Sequence, residues 1–316
     1  MTTMQSWHDR IGFQRDWFWR GWKIRYSYAT HAAASDATPI LLLHGFGASI
    51  GHWRHNVPLL SQHHPVYALD LLGFGASEKA IAAYGTALWV EQVYAFWQEF
   101  IRRPIVLVGN SLGSVVCVGL AAKHPDMVAG LALINLPDFS AVEMPAWMQK
   151  IVQPLGNWMK GFFTLPPIFV PFFHWVRQPT RIRSWVKGAY PDTNNIDDEL
   201  VEILSHPPNE VGAARTLAAM VKGQRQLPPE YTARYALPQI SIPILLVWGL
   251  QDTMVPPSLA RKFVEFNPAV KLVEIPQAGH CPHDECPDVF NPILLDWLQS
   301  WTAPSSVPAS SELPCK

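Results

Sequence analysis

The sequence predicts an α/β fold: a mostly parallel sheet flanked by helices, with a helical segment inserted between two of its strands. Three observations predict it. Short apolar runs recur through the 316 residues at intervals that suit alternating strands and helices. One of these runs leads through Gly109-Asn110-Ser111-Leu112-Gly113 directly into an apolar helical pattern. The alternation then stops near Pro137 and resumes near Ile242, and the residues between read as several helices joined by prolines.

Taken in order, residues 23–28 alternate polar and bulky side chains, as a half-exposed antiparallel strand does. Residues 40–43, 66–70, 105–108, 131–134, 244–248 and 272–275 read as buried strands, and residues 88–103 and 112–123 as helices packed on them. An interruption of this size within one sheet reads as a cap or lid. The expected organisation is a core of residues 1–137 and 238–302, a helical cap at 138–237, and a tail at 303–316 of disordered composition. No internal repeat is present.

Composition excludes several classes. Hydrophobic residues make up 49% and charged residues 16%, against about a quarter charged in average domains, so the chain as a whole is not disordered. Lys and Arg total 24 and Asp and Glu 25, a net charge of −1 that gives no general electrostatic grip on nucleic acid. Four cysteines (Cys117, Cys281, Cys286 and Cys315) are too few and scattered for a disulfide framework, and a reducing compartment is expected. Asp9, Arg10, Arg15 and Asp16 break any N-terminal apolar run, so no secretory signal is read there. The uncharged stretch 104–122 carries Asn110, Ser111 and Ser114, and the stretch 161–176 carries Pro166, Pro167 and Pro171. Neither reads as a membrane span.

The Gly109–Gly113 segment between strand and helix is a nucleophile elbow: its glycines permit a tight turn that lifts the Ser111 hydroxyl above the sheet edge. A serine nucleophile needs a base, and the base an orienting acid. Asp252 follows the strand 244–248 and His280 follows the strand 272–275, in the chain order acid then histidine that such folds use. Both fall at carboxyl ends of strands, where ligands collect in open α/β sheets. Asp138, after the strand 131–134, is the alternative acid. His44-Gly45-Phe46-Gly47 follows the strand 40–43, and the backbone N–H groups of Phe46 and Leu112 are assigned to an oxyanion hole. His44 is read as bracing its loop through a hydrogen bond. Cys281-Pro282-His283-Asp284-Glu285-Cys286 matches no closed zinc site, and neither a metal nor a cofactor is expected; a loop leading into the last helix is.

At these residues the chain resembles the α/β-hydrolase superfamily from about Trp17 to Trp301 and, more narrowly, the chlorophyll dephytylase and pheophytinase group of chloroplasts and cyanobacteria. The narrower resemblance rests on residues 45–56 (GFGASIGHWRHN), 67–79 (YALDLLGFGASEK), 109–113 (GNSLG), 278–285 (AGHCPHDE) and the cap segment from Tyr190-Pro191-Asp192 to Glu202. Ser114 departs from the glycine expected in many relatives. The resemblance implies hydrolysis of the ester between a chlorophyll- or pheophytin-type carboxylate and phytol, without cofactor or metal. It also implies a cytoplasmic or stromal location peripheral to thylakoids; with no transit peptide read, a cyanobacterial or mature chloroplast form is expected. A lipase or esterase of other long-chain esters, and a slow-turnover pigment carrier, remain the alternatives.

One feature of the residues agrees with so apolar a substrate. From Met144 to Pro191 there is no Asp or Glu, while Lys150, Lys160, Arg177, Arg181, Arg183 and Lys187 are cationic. Trp147, Trp158, Phe162, Phe163, Phe169, Phe172, Phe173, Trp175 and Trp185 are interleaved with them. Such a stretch suits peripheral contact with an anionic bilayer; the plain alternative is an aromatic cap core with a solvated basic face.

Overall fold

The computed structural model describes residues 6–138, 140, 165–223 and 229–302. Among them eight strands form one sheet: β1 (Phe13–Trp19), β2 (Trp22–Ala29), β3 (Ile40–Leu43), β4 (Val66–Leu69), β5 (Ile105–Asn110), β6 (Val128–Ile134), β7 (Ile244–Gly249) and β8 (Val270–Ile275). Their order across the sheet is β1-β2-β4-β3-β5-β6-β7-β8. The β1–β2 and β2–β4 pairs are antiparallel and all later pairs parallel. Helix α1 (Thr86–Phe100) joins β4 to β5, and α2 (Leu112–Lys123) joins β5 to β6. Between β6 and β7 lie α3 (Pro166–Val176), α4 (Pro179–Val186), α5 (Asp198–Ser205) and α6 (Ala213–Gly223). Helix α7 (Ser258–Phe266) precedes β8; α8 (Pro282–Glu285) and α9 (Pro287–Thr302) follow it.

Strands buried on both faces need apolar side chains at every position, which is why the central runs show no polar alternation. Leu41, Leu43, Leu107, Leu131, Leu246 and Trp248 face one side of the sheet, where Val90, Val93 and Phe96 of α1 and Val116 and Leu120 of α2 cover them. Ile40, Leu42, Val106, Val108, Ala132, Leu245 and Val247 face the other, under Phe290, Leu294 and Trp297 of α9. The same reasoning explains what the apolar runs do not pick out. Strand β1 is an edge strand exposed along most of its length, so it carries Gln14, Arg15 and Asp16 rather than a run of aliphatics. Helix α1 ends at Phe100 rather than at Arg103, because Arg102 enters the left-handed region with φ 57°. Strand β4 ends at Leu69: the Asp70 carboxylate instead accepts hydrogen bonds from the amides of Ile50 and Ala76, each at 2.7 Å.

The helices between β6 and β7 have small apolar cores of their own. Phe169 and Phe173 of α3 pack on Ala213 and Leu217 of α6, while Ile196, Leu200 and Val201 gather around Tyr190. Lys79 pairs with Glu210 at 3.0 Å and Arg54 with Glu199 at 3.3 Å, tying this segment to the sheet. Among the described residues no helix is long and apolar enough to cross a membrane.

The turn from β5 into α2 is a close backbone-to-backbone contact in this frame. A Cβ on Gly113 would stand 2.1 Å from the carbonyl oxygen of Leu43, and one on Gly109 would stand 2.4 Å from the carbonyl carbon of Gly113. Backbone occupies the space a side chain would need, so Gly113→Ala forces β3 and α2 apart. The expected loss is about 3 kcal/mol in urea unfolding, the upper end of ordinary overpacking.

Candidate active site

Ser111 stands between the last residue of β5 and the first of α2, with φ 52°. A non-glycine residue in that region is strained and is held by its surroundings. Here the Ser111 amide donates to the Ile134 carbonyl at 2.9 Å, and the Ser111 carbonyl accepts from the Ser114 amide at 2.9 Å. The chain passes from β3 to β4 on one flank and then returns to β5 on the other, so β3 and β5 bound the sheet's switch point. Ser111 and the loop after β3 both stand at its carboxyl edge.

In that loop His44 is fully buried. Its Nδ1 donates to the Gly45 carbonyl at 2.7 Å, and its Nε2 accepts from the Leu71 amide at 3.1 Å. Burial pushes its pKa down to about 4, so it is a neutral brace between two loops rather than a base. A Cβ on Gly45 would lie 2.8 Å from Asn110 Oδ1, which brings the Phe46 backbone close beside the elbow. Leu112 opens α2, so its N–H is one of those no helical carbonyl can reach.

The acid and the histidine meet. Asp252 follows β7, His280 follows β8, and His280 Nδ1 donates to Asp252 Oδ2 at 2.8 Å, leaving the Nε2 lone pair free to act as a base. The other Asp252 oxygen accepts from the amides of Met254 at 2.8 Å and Val255 at 2.9 Å. Burial alone would raise the Asp252 pKa; the hydrogen bonds from His280, Val255 and Asn135 outweigh it and hold the carboxyl below its ordinary range. Asp138 is not brought to the histidine. Its carboxylate accepts from the amides of Ser140 and Ala233 instead.

Several residues that hold this arrangement do not stand out in the sequence. Asn135, at φ 48° just beyond β6, donates to Asp252 and to the Gly279 carbonyl, and accepts from the Gly249 amide. Asn110, ending β5, donates to the His280 carbonyl at 3.0 Å and so holds the histidine loop against the elbow. Glu285 receives the amides on either side of His280, Gly279 at 2.9 Å and Cys281 at 2.7 Å. The Cys281–Cys286 segment is therefore a short helical turn whose carboxylate braces its own loop. Ser114, where glycine is expected, donates to the Gly109 carbonyl at 2.6 Å and accepts from the Ile134 amide at 3.0 Å, stitching β5 to β6. The one sequence signal for the asparagines is their place after apolar strands, since asparagine tolerates positive φ and offers both donor and acceptor.

Residues 40–293 match the Alpha/beta hydrolase family. The chain is 28% identical to the chloroplastic pheophytinase of Arabidopsis thaliana over 88% of its own length, spanning 64% of that protein. It is 37% identical to the alpha/beta hydrolase domain-containing protein VTE7 of Arabidopsis thaliana, over 83% of this chain and 74% of that one. It is 27% identical to the human (lyso)-N-acylphosphatidylethanolamine lipase, over 84% and 80%. Among solved structures, a membrane phospholipase A superposes with a TM-score of 0.74 at 24% identity, over 93% of this chain and 88% of that one. The serine hydrolase CarC of carbazole degradation superposes with 0.72 at 23%, over 91% and 99%. At these identities the structural neighbours establish the fold.

Exchanging carboxylates distinguishes the two candidate acids. Asp252→Asn favours the wrong tautomer of His280 and is expected to lower kcat on a soluble ester by about 10⁴. Asp138→Asn leaves the histidine's partner in place and is expected to cost far less. Steady-state kinetics of the two variants check the order.

Proposed function

The chain belongs to the Alpha/beta hydrolase family, and from that premise we propose that it is a serine ester hydrolase that removes phytol from chlorophyll- or pheophytin-type pigments. The observation that carries the chemistry is the 2.8 Å bond between His280 and Asp252, on a loop that Asn110 holds against the elbow serine. In this reading Ser111 Oγ attacks the ester carbonyl while His280 Nε2 takes its proton, and Asp252 stabilises the imidazolium. The oxyanion accepts from the N–H groups of Phe46 and Leu112. His280 returns the proton to the departing phytol oxygen. Water, deprotonated by His280, then attacks the acyl-enzyme and frees the pigment acid and Ser111. No metal or cofactor takes part.

The substrate class is supported by similarity to a relative named pheophytinase, of which this chain spans about two thirds. Another relative bears the name of a lipase, so a long-chain lipid ester is the competing substrate. Purified protein with chlorophyll a, pheophytin a and a long-chain acylglycerol in detergent, products separated chromatographically, tests it. Catalytic release of phytol, abolished in Ser111→Ala, is the expected result. Turnover of the acylglycerol alone would overturn the pigment reading, and stoichiometric pigment binding without phytol would make the protein a carrier.

A substrate this apolar partitions into membrane, each buried CH₂ contributing roughly 0.8 kcal/mol. We propose that α3 and α4 dock there. Helix α3 is apolar on both faces: Phe169 and Phe173 point inward, while Phe172 and Trp175 are 51% and 48% exposed. On α4 Trp185 is 62% exposed, and the Arg181 guanidinium lies over the Trp175 ring at 4.3 Å. The structure alters the electrostatic part of the expectation. Arg183 pairs with Asp198 and donates to the Ile196 carbonyl, so it is not free for head groups. Trp147, Lys150, Trp158, Lys160, Phe162 and Phe163 lie outside the described residues. Arg177 donates to the Pro208 carbonyl, so docking here rests on aromatics, assisted by Arg181 and Lys187. Replacing Phe172, Trp175 and Trp185 together by serine is expected to abolish flotation with anionic vesicles at low and high salt. Replacing Arg181 and Lys187 is expected to weaken it at low salt alone, where screening is least.

A further inference from the structure

The catalytic histidine is seated partly by the inserted helical segment. The His280 amide donates to the Ala189 carbonyl at 2.8 Å, and the hydroxyl of Thr253, next to Asp252, donates to the Gly188 carbonyl at 2.6 Å. Residues 188–190 thus run as a strap across both the acid loop and the base loop. The strap is a rigid turn off the end of α4, with the amides of Gly188, Ala189 and Tyr190 bonded back to Trp185 and Val186. It also lies hard against the base loop: a Cβ on Gly279 would meet the Ala189 carbonyl at 2.3 Å and Pro191 at 2.5 Å.

What fastens the strap is Tyr190, whose side chain is buried. Its hydroxyl accepts from His52 Nε2 at 2.7 Å and donates to Asp284 Oδ2 at 2.8 Å. His52 comes from the short turn after the β3 loop, and Asp284 lies four positions beyond His280. Burial pushes the His52 pKa down to about 3, so His52 is a neutral donor. Burial raises the Asp284 carboxyl, which Arg54, with Nη2 at 3.5 Å, opposes. Neither group has another role in the proposed reaction, and the Tyr190 hydroxyl hydrogen-bonds to both.

We propose that Tyr190 is a positioning residue: by latching its hydroxyl between His52 and Asp284 it seats the Gly188–Ala189 carbonyls on the loops of Asp252 and His280, so that the triad is aligned only with the inserted segment in place. The proposal rests on the serine-hydrolase reading of Ser111, Asp252 and His280 and is independent of the pigment ester.

The test is inactivation by a fluorophosphonate, which reacts at Ser111 only when the histidine is placed to take its proton, alongside turnover of a short soluble ester. Tyr190→Phe removes one oxygen. It is expected to lower both the inactivation constant and kcat about 10- to 100-fold, the scale of a misplaced catalytic group, with KM for the short ester unchanged. The downfield proton resonance of His280 Nδ1–H is expected to broaden or shift. Thr253→Val, at an exposed position, loosens the strap from its other end and is expected to lower the same constants; the double variant should lose less than the product of the two single effects. A folded Tyr190→Phe that reacts within twofold of wild type, with an unaltered proton resonance, overturns the proposal. Should that variant not fold, an unaltered Thr253→Val overturns it in its place. An unreactive wild type would overturn the serine-hydrolase reading itself, a result separate from either.

Discussion

The close passage of the Gly109–Gly113 turn beneath the end of β3 is the constraint on which the rest of this structure depends. Backbone lies against backbone there, at a separation that leaves no room for a Cβ on Gly113. That contact sets how far α2 stands above the sheet, and with it the height of Ser111 over the switch point. The strained serine backbone costs on the order of 1–3 kcal/mol and persists because its neighbours over-determine it. Ile134 accepts its amide, Ser114 donates to its carbonyl, and the Ser114 hydroxyl joins β5 to β6 at the same level.

Around that fixed point the acid and histidine loops are held by hydrogen-bonding side chains. Asparagines at the ends of β5 and β6 reach the histidine carbonyl and the acid, and Glu285 brackets the histidine by accepting hydrogen bonds from the amides on either side of it. In a low-dielectric site such bonds are strong when made and costly when missing, so each fixes a geometry rather than merely adding stability. Burial depresses the pKa values of His44, His52 and His283, which keeps them uncharged near His280, the imidazole that gains a proton in the proposed mechanism. Asp252 is the exception: enough donors surround it to keep its carboxyl ionised although it is buried.

The inserted helices have two faces with different work. Inward, Tyr190 joins Ile196, Leu200 and Cys281 in a small core, and its strap lies on the catalytic loops. Outward, α3 presents the half-exposed rings of Phe172 and Trp175, with Arg181 over the latter. Under the membrane docking proposed above, a segment that touches both loops would link the site's alignment to the surface from which the substrate comes.

The sequence by itself determined the sheet, the helices inserted between β6 and β7, and the places of Ser111, Asp252 and His280 at the ends of strands. Strands buried on both faces need unbroken apolar runs, and an elbow needs glycine at two positions; both are local requirements that leave a local record. The places of Phe46 after β3 and of Leu112 at the start of α2 were legible for the same reason, and their role as oxyanion donors belongs to the proposed mechanism. The edge strand β1 left no such record, because half of an edge strand's groups face water and its composition is free to vary. What only the tertiary structure decided was the company each residue keeps. Asp252 and Asp138 are alike in sequence, each an aspartate after an apolar strand; the packing of β7 beside β8 gives one of them the histidine and leaves the other two amides. Asn110, Asn135, Glu285 and Tyr190 act through partners between 4 and 170 positions away. Hydrogen bonding over such distances follows the meeting of loops in space, and no periodicity along the chain encodes it.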